Sequence, residues 1–77
     1  MMNEIIGRNI YLFRDQKHLS LIDLSNQILE EQQMYISPIQ LKDYESGISI
    51  EAESLFFIAL ALRVNVSELY EANPLLN

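Results

Sequence analysis

Few side chains in this chain could do chemistry. His18 is the only histidine, it follows Lys17, and there is no cysteine. A hydrolytic or transfer reaction needs a nucleophile with a base held against it, and a lone histidine in a polar turn supplies no such pair. His18 therefore reads as a surface residue, and no enzymatic activity is expected. Glu30-Glu31 and Glu51 with Glu53 are carboxylate pairs without a His or Cys neighbour, so solvated helix faces explain them better than a metal cage. Gly7 and Gly47 are the only glycines, which rules out a glycine-rich phosphate loop. No metal and no cofactor are expected. What remains is recognition: cationic Arg8, Lys17 and Lys42, and the amide of Gln40.

The elements that must position these groups are helical. Residues 37–47, SPIQLKDYESG, read as one short helix with its start and stop both spelled out. Ser37 can cap the exposed amides, Pro38 suits the first turn, and Gly47 can adopt the positive φ that ends a helix. Leu41, Tyr44 and Ile48 recur at helical spacing and are expected inward, with Gln40, Lys42 and Asp43 outward. A helix of about two turns cannot sustain itself in water, so its neighbours must hold it. It reads as the second helix of a helix-turn-helix, the element such a domain presents to the major groove of DNA.

Around it, Asn3 is expected to cap a first helix ending near Lys17, with Ile6, Ile10 and Phe13 as its buried stripe and Arg14 at the stripe's edge. A capping box, Ser20-Leu21-Ile22-Asp23, opens the second, and Leu19 can staple onto Leu24. Leu24 and Ile28 carry its apolar face to about Leu29, and residues 30–35 are left open between another helical turn and a loop. Ile36 returns the chain to the core. Ser49 is expected to cap a fourth helix through Arg63, with Leu55, Ile58, Ala59 and Leu62 inward, and Ser67 a short fifth that Pro74 ends. No partner strand competes for the apolar run 55–62. At eight residues it is also far short of the roughly twenty that span a bilayer.

Seventy-seven residues allow one domain with a modest core, and 49% hydrophobic with 21% charged residues is a globular composition. The absence of cysteine excludes a disulfide framework and suits a reducing cytosol. The opening MMNEIIGRN lacks the order of a signal peptide, so a soluble cytoplasmic protein is expected. The net charge is −6, where a nucleic-acid binder usually offers a basic face. It is uneven: residues 1–17 sum to +1 and residues 51–77 to −3.

In order and at nearly the family spacing, several segments resemble the lambda-repressor-like (Xre or Cro-type) helix-turn-helix family over residues 5–71. They are Ile6-Gly7-Arg8-Asn9-Ile10 with Arg14, Leu19-Ser20 with Leu24-Ser25, Ser37 and Leu41 with Tyr44-Glu45-Ser46-Gly47, and Ile58-Ala59 with Leu62 and Val64. The resemblance implies an all-α, compact five-helix domain that binds operator DNA as a homodimer and regulates transcription, usually as a repressor. It places base-reading positions on Pro38, Ile39 and Asp43, with Ser37, Gln40 and Lys42 beside them, and puts Leu21 where the family often has Gln. Arg8, Lys17 and Lys42 become the phosphate anchors, and Arg14 with Glu45 a structural salt bridge joining the first and third helices. Residues 29–34 lengthen the link between the two helices of the motif. Ile39 can touch a thymine methyl, whereas Asp43 can only accept from a cytosine amino group. Apolar groups in excess of the core, Tyr70, Leu75 and Leu76 with Phe56 or Phe57, are expected to form the dimer interface, through the fifth helix and the tail. The acidic balance keeps a second class open, a protein-interaction module on the same fold whose partner binds the acidic face.

Overall fold

A computed structural model describes residues 2–72. In chain order it contains α1 (Met2–Gln16), α2 (Leu21–Gln32), α3 (Pro38–Glu45), α4 (Ala52–Leu62) and a 3-10 segment (Val66–Tyr70), with no strand among the described residues. The fold is thus all-α, four α-helices and one 3-10 turn. Its radius of gyration, 11.1 Å, matches the ~11.5 Å of a packed chain this long. One core gathers Ile6, Ile10 and Phe13 of α1, Leu24 and Ile28 of α2, Leu41 and Tyr44 of α3, Leu55, Ile58 and Leu62 of α4, and Leu69.

Each helix stops at a residue with left-handed backbone, and only one of these is glycine. His18 (φ 58°), Gln33 (φ 56°), Gly47 (φ 89°) and Arg63 (φ 62°) follow α1 to α4 in turn. After α1, Leu19 N–H donates to Arg14 O (3.1 Å) and His18 N–H to Asp15 O (3.0 Å). After α3, Ile48 donates to Asp43 O (3.1 Å) and Gly47 to Tyr44 O (3.0 Å), and Val64 and Arg63 repeat the pattern after α4. These paired bonds satisfy carbonyls that a helix end would otherwise orphan.

Several boundaries differ from the sequence reading. Asn3 lies inside α1 rather than capping it. Residues 30–35, left open between another helical turn and a loop, divide at Gln32, where α2 ends; the amides of Gln27 and Gln32 donate to Ala61 O (2.6 Å) and Phe57 O (2.9 Å) of α4. Ser49 does not cap α4, which starts at Ala52 behind Glu51; Ile50 packs partly buried against the core and keeps the chain extended past the serine. The last segment is capped by Asn65 rather than Ser67, since the Glu68 carboxylate accepts from Asn65 N–H at 2.8 Å and Glu68 N–H returns to Asn65 O at 2.9 Å. Ile48, expected inward, is exposed, because the turn at Gly47 carries it off the face that Leu41 and Tyr44 share. Pro74, Leu75 and Leu76 lie outside the described residues.

Candidate nucleic-acid interface

Helix α3 carries most of the candidate residues, and four separate devices fix it. At its start Ser37 Oγ accepts from Gln40 N–H (3.1 Å), and Pro38 occupies the first position, where no amide donor is needed. At its end Gly47 supplies the turn just described. From the side, the backbone of α1 approaches so closely at Gly7 that an added Cβ would lie 2.3 Å from Tyr44 O and 2.8 Å from Glu45 O. Two turns further along α1, Arg14 grips Glu45 with both arms of its guanidinium, Nε to Oε2 at 2.6 Å and Nη2 to Oε1 at 2.9 Å.

That ion pair is nearly enclosed, with side-chain exposures of 13% and 10%. The carboxylate pushes the Arg14 pKa up from its ordinary value, against the desolvation that opposes it. Arg14 Nη1 also donates to Leu19 O at 2.7 Å, and the guanidinium lies 5.4 Å from the Tyr11 ring. One side chain thereby ties α1 to the end of α3 and to the turn that leads into α2. A charge-assisted fork fixes direction as well as distance.

The outward side of α3 is chemically mixed. Ile39 is 75% exposed, and Lys42 and Asp43 are exposed beside it. Gln40, expected to look outward, is partly buried; its amide donates to Tyr44 Oη (2.9 Å), and that hydroxyl donates to Ser54 Oγ on α4 (3.4 Å). An i to i+4 bond to a core tyrosine has drawn it inward. Leu21 is partly buried against the core, so Ile22, its exposed neighbour, is what α2 offers there. Ser37 spends its hydroxyl on the cap, and Pro38 is partly buried.

Arg8, Lys17 and Lys42 are exposed and make no ion pair among the described residues. Arg63 is engaged with Glu31, Nη2 to Oε2 at 2.6 Å, which holds the Glu31 carboxyl below its usual range. Two of the amides at the front of α2, those of Ser20 and Asp23, are committed as well. Ser20 Oγ accepts from Asp23 N–H (2.9 Å), and Asp23 accepts from Ser20 N–H (3.0 Å), a bond that lowers the Asp23 pKa. Tyr70 of the expected dimer face is exposed, and Leu75 and Leu76 lie outside the described residues.

Two residues that local reading undervalued prove central. Gly7 is the contact point of α1 with α3. Asn9, fully buried at 0% exposure, donates its amide to Leu69 O (2.8 Å) and Glu71 O (2.6 Å), pinning the 3-10 segment to α1. A polar residue placed between Ile6 and Ile10 of an apolar stripe was the available signal, since it must find partners once buried. Ser25 plays a shorter-range part, donating to Ile36 O (2.7 Å) and closing the loop between α2 and α3.

Among the described residues there is no group of three His, Cys, Asp or Glu side chains that could hold a metal ion, and no helix is long and apolar enough to cross a membrane. No family model, curated protein or solved structure matches the chain.

Proposed function

We propose that the chain is a sequence-specific DNA-binding transcriptional regulator of the lambda-repressor-like (Xre or Cro) type, a dimeric repressor that lays α3 in the major groove. One observation carries the reading: α3 buries Leu41 and Tyr44 yet leaves Ile39, Lys42 and Asp43 uncovered, and while Ser37 caps its start its C-terminal end is fastened to α1 at Tyr44 and Glu45. A helix that has to keep its register against base edges needs that combination of rigid attachment and bare outer face. Ile39 fits a thymine methyl, Asp43 a cytosine amino group, and Lys42 a phosphate. Arg8 and Lys17 serve as further phosphate anchors.

The charge favours the other reading, an acidic protein-interaction module. Two of the five Lys and Arg residues are spent on Glu45 and Glu31, and Asp23 guards the front of α2. The two readings separate in one experiment, selection from a randomised duplex pool at low salt followed by titration of the enriched sequence. With two or three phosphates engaged per protomer, a dimer on DNA should show a log–log salt slope of about −4 to −5. Lys42→Ala should weaken all sites alike and flatten that slope by about one per protomer, whereas Ile39→Ala should relax preference at one base position. If no duplex is enriched, the regulator reading fails and the acidic surface becomes the functional one.

A further inference from the structure

Helix α4 has an outer face with no cover. Of its eleven residues only Glu53 and Ser54 are polar. Leu55, Ile58, Ala59, Ala61 and Leu62 fill the core, but Phe56 is 53% exposed and Leu60 45%. A helix apolar on all sides normally has something packed on every side. The Phe56 ring meets that of Phe57 edge to face, centroids 6.0 Å apart at 63°. A large aromatic side chain left uncovered at the middle of an apolar helix face has the character of an interface anchor.

The polar residues flanking this stripe say what the cover is. Glu53, Phe56, Leu60 and Arg63 follow one another at spacings of three, four and three, which keeps the first three on one helical face and brings Arg63 to its end. Glu53 and Arg63 are equally far from residue 58, and so are Phe56 and Leu60. Turned about a two-fold axis at residue 58, the stripe is its own complement. Phe56 of each copy meets Leu60 of the other, and Glu53 of each copy reaches Arg63 of the other, whose side chain is still 60% exposed beyond its bond to Glu31. A parallel arrangement would instead set Glu53 against Glu53 and Arg63 against Arg63. The geometry points to an antiparallel, two-fold α4–α4 contact between two copies of this chain, anchored by Phe56 and Leu60 and oriented by Glu53 and Arg63. This contact does not depend on DNA binding, and it lies on a different element from Tyr70.

The test uses the whole chain without DNA. Two short helix faces bury less than a standard interface of about 1,600 Å², so the dimer is sought by sedimentation equilibrium up to about a millimolar. Phe56→Glu alone and Leu60→Lys alone should each weaken association at least tenfold, while circular dichroism and the melting temperature stay near the parent because both positions face solvent. An equimolar mixture of the two variants should dimerise again, since each heterodimer unites one Glu with one Lys and keeps one Phe–Leu contact. Because the chain has no cysteine, Phe56→Cys mixed with Leu60→Cys should give a cross-linked dimer on mild oxidation, more than either variant gives alone. A monomer throughout the concentration range overturns the proposal. So does a dimer that survives both charge substitutions, or one that cross-links through Tyr70→Cys in preference to the mixed pair.

Discussion

Replacing Gly7 by alanine sets two effects of opposite sign against each other, and the geometry says which wins. In an exposed helix interior the change would stabilise by roughly 1 kcal/mol, because glycine is a poor helix former. At position 7 the new methyl would sit 2.3 Å from Tyr44 O, 2.8 Å from Glu45 O and 3.0 Å from Glu45 C, all of them backbone atoms. No rotamer can relieve such contacts. Tyr44 O is itself held by Gly47 N–H at 3.0 Å in the turn that closes α3, so moving it away costs the helix end. The remaining relief is for α1 to withdraw by about an ångström, which stretches the 2.6 Å bond from Arg14 to Glu45. Overpacking of this kind costs about 1–3 kcal/mol or more, and the strained ion pair adds to it. The net expectation is a loss of about 2 kcal/mol, a large share of the roughly 4–11 kcal/mol a chain this size commands, and a melting temperature lower by roughly 10 °C. Urea unfolding followed by far-UV circular dichroism measures it directly. A Gly7→Ala protein as stable as the parent, or more so, would refute the argument that α1 and α3 touch through their backbones here.

Other perturbations test neighbouring parts of the same logic. Glu45→Ala strands the enclosed Arg14 and should cost about 3 kcal/mol in chemical unfolding, whereas Glu31→Ala, which breaks an exposed pair, should barely move the midpoint. Gln33→Gly places the residue suited to a positive φ at the end of α2 and should stabilise by about 0.5–1 kcal/mol; a loss would mean that the Gln33 side chain matters in a way its exposure does not suggest. The Asp23 and Glu31 carboxyls both titrate below their ordinary values when folded, so their stabilising effect is complete above the unfolded pKa and disappears as pH falls through the folded one. Melting temperature should therefore drop in the acid range below about pH 4, and Asp23→Asn should make that drop shallower; an unchanged acid profile would remove the capping box as its source.

The parts of the fold legible in the sequence were those encoded within a few residues. Ser20 with Asp23, and Ser37 with Pro38 and Gly47, announce helix ends through side-chain chemistry and backbone freedom that act locally, and both ends form. His18, Gln33 and Arg63 take the same left-handed conformation as Gly47 without glycine's signature, yet the ends of α1 and α4 fall within a residue of Lys17 and Arg63, where the apolar period runs out. Only the end of α2 stayed open, and there Gln27 and Gln32 bond to α4 carbonyls that lie 34 and 25 positions away. The candidate site divides in the same way. That Lys42 and Asp43 face outward follows from helical period alone, but Gln40 turns inward because a tyrosine hydroxyl one turn away offers it a better partner than water. Asn9 reaches residues 60 and 62 positions away, a separation no window of local pattern can span.

The effort this chain makes to hold α3 bears on how such a domain could bind a polyanion at all. Under the DNA-binding reading, a net charge of −6 with three exposed cations that make no ion pair among the described residues leaves little long-range attraction, so affinity would have to come from fit. Fit is efficient only when the element is ordered beforehand, since every side chain or backbone segment fixed on binding subtracts from the result. The Arg14 fork orders two things at once, for it bonds the end of α3 through Glu45 and the turn before α2 through Leu19 O. The relative setting of the two helices is thereby stored in the free protein. A lysine at position 14 would keep the charge and give up the fork, leaving a point contact that fixes distance without direction. Under the proposed reading, DNA affinity and stability should therefore separate at this residue: an Arg14→Lys protein that is fully folded at the assay temperature should still bind its enriched duplex less tightly, because α3 must then be oriented at the expense of the complex.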